Sequence, residues 1–189
     1  MARGLYGGAI TAEVPDRFVD VSQFRDIPDN QEVLCDIDTD QSVIVELLSL
    51  VEDVSDESCA EFHFNEIVKE NDAQENVTVI TNRVLTDEEL PNISGANIHK
   101  AMILGRMHAS KFKESATNLI ELHMAIIRIP KITTDILISF NAPVIINEES
   151  SSAKNVQDTT PPQESPAILF QNVLKTFTIQ DWGLFGADN

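Results

Sequence analysis

The sequence predicts an α+β fold, in which a mostly antiparallel β-sheet is flanked by helices on its faces as an α/β/α sandwich. Segments with alternating apolar residues, typical of strands, cluster in the middle of the chain at about residues 76–141. Apolar residues at helical spacing occur before and after them. Because such helices need an apolar surface to cover, the sheet between them is the predicted core.

The amino-terminal part is predicted to contain two strands. The first covers about residues 8–14 and ends at Pro15, and a pair of glycines before it indicates a bend. A short connection with one helical turn at about 22–25 follows. The segment QEVLCDI, residues 31–37, then alternates like a second strand.

Two helices are predicted next. Residues 38–53 place Glu46 on a polar side and carry an apolar stripe made of Val43, Ile44, Leu47, Leu48 and Val51. Asp38 or Asp40 is expected to cap this helix, because a carboxylate accepts hydrogen bonds from the free N–H groups of a first turn. The second helix is expected to follow the N-cap Ser55 and to bury Ala60, His63, Phe64 and Ile67.

Four further strands are predicted at about 76–85, 99–112, 118–129 and 133–141. Gly105 is predicted to mark a β-bulge in the second of them. Alternation places two sets of residues on single faces: Ile120, Leu122, Met124 and Ile126 in the third strand, and Ile136, Ile138 and Phe140 in the fourth. The Pro130-Lys131-Ile132 segment between them is short enough for a tight antiparallel connection.

Residues 1–189 are expected to form one domain, with a flexible loop at about 147–165 that has few residues to bury. The last helix is predicted to start at Ser165 and Pro166, an N-cap followed by proline at the first helical position. Its buried stripe is predicted to contain Ala167, Phe170, Leu174 and Phe177.

The chain is strongly acidic, with 31 Asp and Glu against 13 Lys and Arg and a net charge of −18. Residues 1–80 hold 19 acidic and 4 basic residues, whereas residues 81–189 hold 12 and 9. Such a surface repels nucleic acids and anionic membranes and favours basic partners. Neither a signal peptide nor a run of about 18–20 apolar residues, the length of a membrane span, is found. With only two cysteines, we expect reduced thiols in the cytosol or nucleus.

Known motifs for catalysis and cofactor binding are not found in the sequence. It has no GxGxxG, GxxxxGK[ST] or GxSxG pattern, and its four histidines lack the spacing of a metal site. Cys59 and His63 are one helical turn apart, and a buried thiol beside a core histidine explains this pair better than a nucleophile. We therefore expect no metal, no cofactor and no catalytic residue.

The acidic residues are densest before and after the second predicted strand. Five carboxylates lie within twelve residues: Asp29, Glu32, Asp36, Asp38 and Asp40. Like charges so close repel one another unless solvent or a basic surface relieves the repulsion. Two interpretations follow from the residues alone: a solvated loop with helix caps, or a docking patch for the Lys and Arg side chains of a partner.

Several segments together resemble the Ran guanine-nucleotide release factor family, the small Ran-binding proteins of nuclear import in fungi and animals. They are LYGGAITAEVP, FVDVSQFRDIPDNQEV, TDQSVIVELL, TDILISFNAP and the terminal LFG, in the same order over nearly the whole chain. The resemblance implies an antiparallel sheet flanked by helices, similar to the extrinsic oxygen-evolving subunit of photosystem II.

The resemblance also implies a function. It implies a non-catalytic factor that binds the small GTPase Ran, promotes release of its guanine nucleotide and supports nuclear protein import. We expect a monomer in the nucleus with a cytoplasmic pool, with other Ran-binding proteins as further partners. The implied Ran-binding patch maps to Asp29, Asn30, Gln31, Glu32 and Glu46. Asp36 and Asp40 are added to it as charges that steer the partner.

Two alternatives to a release factor are retained. A plain adaptor would bind Ran or another basic protein without changing nucleotide exchange. A small hydrolase or lyase would use the acidic cleft with a strand histidine, His108 or His123, as its base.

Overall fold

The computed structural model describes residues 2–110, 116–154 and 164–186, and within them the chain forms ten β-strands and two α-helices. The helices are α1 (Asp56–Glu70) and α2 (Pro166–Thr176). The strands are β1 (Ala2–Leu5), β2 (Ile10–Glu13), β3 (Phe18–Asp20), β4 (Gln31–Asp36), β5 (Gln41–Ser49), β6 (Val77–Val84), β7 (His99–Ser110), β8 (Thr117–Ile129), β9 (Thr134–Ile145) and β10 (Thr178–Ile179). The predicted α+β class is confirmed.

Seven strands form a large antiparallel sheet in the order β3-β4-β5-β9-β8-β7-β6. Its centre is the run of β7, β8 and β9, strands of 12 or 13 residues that follow one another along the chain. A single 3-10 turn, Pro130–Ile132, connects β8 to β9, and Thr133 closes it with φ 48°. The predicted tight connection at this position is therefore confirmed.

A second, three-stranded sheet contains β1, β2 and β10, with β2 in the middle. Thr178 and Ile179 of β10 pair with Thr11 and Ile10 of β2. β2 corresponds to the first predicted strand, whereas β1 is an additional strand that the sequence pattern did not indicate.

Each face of the large sheet has its own apolar core. α1 packs on β6, β7 and β8, and the core beneath it includes Phe64 and Met124. α2 and the small sheet cover the other face, where Phe140 of β9 packs with Phe170 and Phe177. The result is a helix–sheet–helix arrangement in which the large sheet is the middle layer.

Both helices begin at their predicted N-cap residues, Ser55 and Ser165. The Oγ of Ser165 accepts a hydrogen bond of 3.3 Å from the backbone N–H three residues later. The burial of Ala167 was predicted wrongly, because this residue is exposed and Leu169 and Val173 turn toward the sheet instead. Neither helix is long and apolar enough to cross a membrane.

The helix predicted at residues 38–53 is wrong, because strand β5 lies there between β4 and β9. Val43 and Val45 are buried toward α2, and Ile44, Glu46 and Leu48 alternate with them on the opposite face. Apolar residues on both faces of a strand produce i, i+4 matches that imitate a helix, while the β-branched residues favour the strand. Asp38 and Asp40 consequently lie in the β4–β5 turn and cap no helix.

The bulge predicted at Gly105 lies on the neighbouring strand instead. In β6 the register shifts between Val79 and Thr81, so Ile80 is the extra residue. Gly105, opposite Val79, has a different role: a Cβ at this position would lie 2.8 Å from Cε2 of Phe64. The glycine therefore allows α1 to approach the sheet closely.

The predicted flexible loop at 147–165 falls partly outside the described residues. In its described part, Ser150 and Ser152 are fully buried. The side-chain amide of Asn118 donates to Ser150 Oγ at 3.1 Å, and Asn118 Oδ1 accepts from the N–H of Asn147 at 2.9 Å. These bonds anchor this part of the chain to the start of β8.

Candidate functional site

Asp29 and Asn30 lie in an exposed turn that leads into β4. A hydrogen bond of 2.9 Å from the N–H of Gln31 to the carbonyl of Pro28 closes the turn. Asn30 ties the turn to β5, because its carbonyl accepts from the N–H of Leu47 at 2.9 Å. Both side chains are thus presented to solvent on a fixed backbone at one end of the β4–β5 hairpin.

Gln31 and Glu46 are opposite each other in the β4–β5 register, and Gln31 Nε2 donates to Glu46 Oε1 at 2.6 Å. Burial raises the pKa of Glu46; the hydrogen bond from Gln31 opposes this, and the charge of Glu70 adds to it. Glu46 was predicted on the polar side of a helix; it lies instead on strand β5, which places it next to Gln31. A carboxylate with one such bond keeps lone pairs free for a cation.

Tyr6 belongs to this end of the hairpin, although the sequence pointed to it only through the motif LYGGAI. Its hydroxyl lies 2.8 Å from the carbonyl of Val45 and 2.9 Å from that of Asn30. Its backbone N–H donates to Glu32 Oε1 at 2.6 Å, and its φ of 50° starts a left-handed turn. Burial, then the charges of Glu32 and Glu46, raise the pKa of Tyr6, so its hydroxyl remains a donor.

We call Asp29, Asn30, Gln31 and Glu46 the hairpin-end surface; Tyr6 holds it from below. It offers negative charge and hydrogen-bond acceptors, which suit Lys and Arg side chains. Glu32 belongs to the support, because its carboxylate is bonded to the backbone of Tyr6. Across the described parts of the chain, no three His, Cys, Asp or Glu side chains are grouped as metal ligands.

Asp36 and Asp40 lie at the other end of the hairpin. At a rise of about 3.3 Å per residue, Asp36 is about 16 Å along β4 from Gln31. It is 1% exposed and forms an ion pair with Nε of Arg17 at 2.9 Å. Asp40 accepts a hydrogen bond of 2.7 Å from Ser152 Oγ. The structure does not bring these two predicted residues to the hairpin-end surface.

The strand histidines do not form a common site. His99 and His108 on β7 and His123 on β8 occupy separate register positions. His123 is buried against Phe140, with Nε2 2.9 Å from Glu121 Oε1. Burial lowers the pKa of His123, although Glu121 opposes this. His123 is thus a core residue without access to a substrate.

Cys59 and His63 of α1 are also buried. Burial raises the pKa of the Cys59 thiol to about 11, so it is not a nucleophile at neutral pH. His63 Nε2 lies 3.0 Å from Asp135 Oδ2, and Arg128 Nε donates to Asp135 Oδ1 at 2.9 Å. These contacts hold α1 on the sheet, which gives His63 a structural role.

Comparison with known proteins identifies a family and several relatives. Residues 3–143 match the family described as "Mog1: Ran-interacting Mog1 protein". The chain is 40% identical over 186 residues to the "Probable ran guanine nucleotide release factor" of Dictyostelium discoideum, covering 97% of this chain and 95% of the relative. It is 41% identical over 187 residues to the "Ran guanine nucleotide release factor" of Danio rerio, covering 98% and 100%.

A solved structure agrees with the sequence relatives. The crystal structure of the Saccharomyces cerevisiae Ran-binding protein Mog1p superposes with a TM-score of 0.69 at 27% identity, covering 98% of this chain and 97% of the other. The likeness therefore extends over both sheets and both helices.

Proposed function

Because the chain belongs to the family of Ran-interacting Mog1 proteins, as its motifs predicted, we propose that it binds the small GTPase Ran through the hairpin-end surface, promotes release of the bound guanine nucleotide and supports nuclear protein import. It acts as one domain and as a monomer, in the nucleus with a cytoplasmic pool, beside other Ran-binding proteins. The names of its relatives describe a Ran-binding regulator, which favours a non-catalytic role.

The observation that carries this proposal is the exposed pair Asp29 and Asn30 next to the Gln31–Glu46 pair. Two carboxylates and two amides converge at one hairpin end, within residues 1–80, which carry a net charge of −15. Carboxylates at such a surface attract a basic partner over a distance and fix its orientation on contact. Tyr6 keeps the group rigid, which lowers the entropy lost on binding.

A release factor needs no bond to be made or broken. It must bind Ran without nucleotide more tightly than Ran with nucleotide, and by linkage its binding then weakens nucleotide affinity by the same factor. Every 1.4 kcal/mol of this difference changes the affinity about tenfold. In this proposal, Asp29 and Glu46 engage basic side chains near the nucleotide of Ran or its switch loops. Asp40 contributes to steering, whereas the charge of Asp36 is already paired with Arg17.

The first experiment follows a fluorescent guanine nucleotide leaving Ran, with and without this protein. The native chain is expected to accelerate release, and Asp29→Lys to abolish the acceleration. Asp16→Lys is the matched control, because Asp16 is exposed near the opposite end of the hairpin and the change in net charge is the same. The affinity for Ran is also expected to fall as salt screens the surface charges.

The alternative results distinguish the remaining functions. Binding without any acceleration would leave an adaptor. Acceleration by both lysine variants would keep the release activity but remove it from the hairpin-end surface. A chain that does not bind Ran at all would contradict the proposal.

A further inference from the structure

α1 covers only part of its face of the large sheet. It packs on β6, β7 and β8, whereas side chains of β3, β4 and β5 on the same face remain partly accessible. The register places four of them together, Val19, Cys35, Ser42 and Ile44, next to Val33, which is only 6% exposed. We call these residues the open face. The residues that alternate with them belong to the core under α2.

The open face has an apolar centre and a polar border, the usual anatomy of a protein interface. Val33 and Ile44 are opposite each other in the centre. Gln31 and Glu46 follow them on the same side of β4 and β5, so the open face is continuous with the hairpin-end surface. Ser139 lies opposite Ile44 in β9; it is 3% exposed, and its Oγ has no hydrogen-bond partner among the described residues. A buried hydroxyl without a hydrogen-bond partner is unusual in a protein core.

The size of the hairpin-end surface also points to an adjoining contact. A stable protein interface buries about 800 Å² on each partner, with about 20–30 residues a side. Four residues at the end of a hairpin cannot supply this area. The open face is the neighbouring surface that shares the same two strands, and its acidic border at Glu46 complements the same basic partner.

We propose that the Ran molecule held at the hairpin-end surface extends over the open face, with basic side chains at Glu46 and an apolar patch on Ile44. This inference rests on the proposed function, since the occupant is the partner assigned there. The inference adds a contact area, the open face, that the acidic cluster in the sequence does not indicate. Ile44 acts as the apolar anchor of the interface, and the carboxylates around it set the orientation.

Cys35 provides a test that needs no mutation. It lies half-buried on the open face, whereas Cys59 is 0% exposed on the buried side of α1. Nucleotide-free Ran at saturating concentration is expected to slow the alkylation of Cys35 by iodoacetamide by at least about fivefold. Peptide mass mapping measures the rate at each cysteine. Cys59 is the internal control for unfolding, because it reacts only when the core opens.

A pair of variants tests the energetic contribution. Ile44→Ala is expected to weaken Ran binding by at least about fivefold. A loss of this size is seen for only a minority of the residues in an interface. Val84→Ala is the matched control: Val84 is a β-branched residue on the same face of the sheet, 63% exposed, but at the far edge in β6. It is expected to bind like the native chain. Thermal unfolding of both variants checks that each is folded.

The outcomes separate this inference from the proposed function. Unchanged alkylation of Cys35, or native affinity of the Ile44→Ala variant, overturns the inference, and the proposed function stands if Asp29→Lys still weakens binding. Absence of Ran binding by the native chain overturns both. Protection of Cys35 together with selective loss in the Ile44→Ala variant supports the open face as part of the interface.

Discussion

Arg128 and Asp135 occupy opposite positions on β8 and β9, and their side chains meet in two hydrogen bonds of 2.9 and 3.0 Å. Both residues are almost fully buried. Arg128 also donates to the carbonyls of Val51 and Val54, and His63 contacts the same carboxylate from α1. This single ion pair therefore connects the sheet, the helix and the segment that joins them.

Asp135→Asn is expected to destabilise the protein by about 3–5 kcal/mol at pH 7, because it leaves the Arg128 charge buried without its partner. Burial alone would raise the pKa of Asp135, but the hydrogen bonds from His63 and Arg128 outweigh it and hold the pKa below its usual range. Because the folded pKa is lowered, the stabilisation is present above the unfolded pKa of about 4 and is lost as pH falls below it. Urea unfolding between pH 3 and pH 7 measures this.

The control for this variant is Glu66→Gln, which breaks the exposed ion pair with Lys69. We expect a loss below about 1 kcal/mol there. Equal losses for the two variants would contradict the structural role of the buried pair.

Glu46→Gln is expected to make the protein slightly more stable, by less than about 1 kcal/mol, while weakening its binding to Ran. Burial raises the pKa of Glu46, so its ionised form costs stability in the folded state. The cost is present above the folded pKa and disappears as pH falls below the unfolded pKa, where Glu46 is protonated in both states. Thermal unfolding at pH 8 and pH 4 should therefore show a difference from the native chain only at pH 8. A variant that is less stable at pH 8 would contradict this.

Tyr6→Phe is expected to lower the free energy of unfolding by about 1 kcal/mol, the usual contribution of one hydrogen bond. Its larger effect should be on Ran binding, because the hydroxyl fixes the carbonyls of Asn30 and Val45 beneath the hairpin-end surface. Urea unfolding and nucleotide release measured on the same sample separate the two effects. Thr176→Val, which removes a hydroxyl bonded to a carbonyl of α2, is a control expected to lose stability but not binding.

Gly105→Ala is expected to destabilise the protein by about 1–3 kcal/mol, because the added methyl group overlaps the ring of Phe64. Combining it with Phe64→Leu should cost less than the sum of the two single changes, since the smaller side chain makes room. A denaturant titration of the four proteins in this cycle gives the coupling directly. Additive losses would show that the contact is not the cause.

Strands β7 and β9 were predictable because each has one face that is mostly apolar. Ile136, Ile138 and Phe140 alternate and are buried together, as expected. β5 was not predictable by the same rule, since its second side also carries apolar residues: Ile44 on the open face and Leu48 against the core under α1. They remove the alternation. The misassigned strand and the proposed interface thus have one physical cause.

The candidate site was predictable only in part. Asp29 to Gln31 are neighbours in sequence and in space, and Glu46 joins them through strand pairing. Asp36 is close to these residues in sequence, but the extended length of β4 separates it from them in space. Its charge is paired with that of Arg17. Tyr6 is distant from the other site residues in sequence. The left-handed turn at residues 6–8, which the sequence pattern did not predict, sets the position of its hydroxyl.

The pairing of β2 with β10 has a consequence for synthesis on the ribosome. Thr11 must wait for Thr178, which is translated 167 positions later. At about 5–20 residues per second, this takes roughly 8–33 s. During that time the apolar side of β2 has no α2 and no β10 to cover it. We therefore expect the nascent chain to expose this apolar side to chaperones until its last helix has emerged.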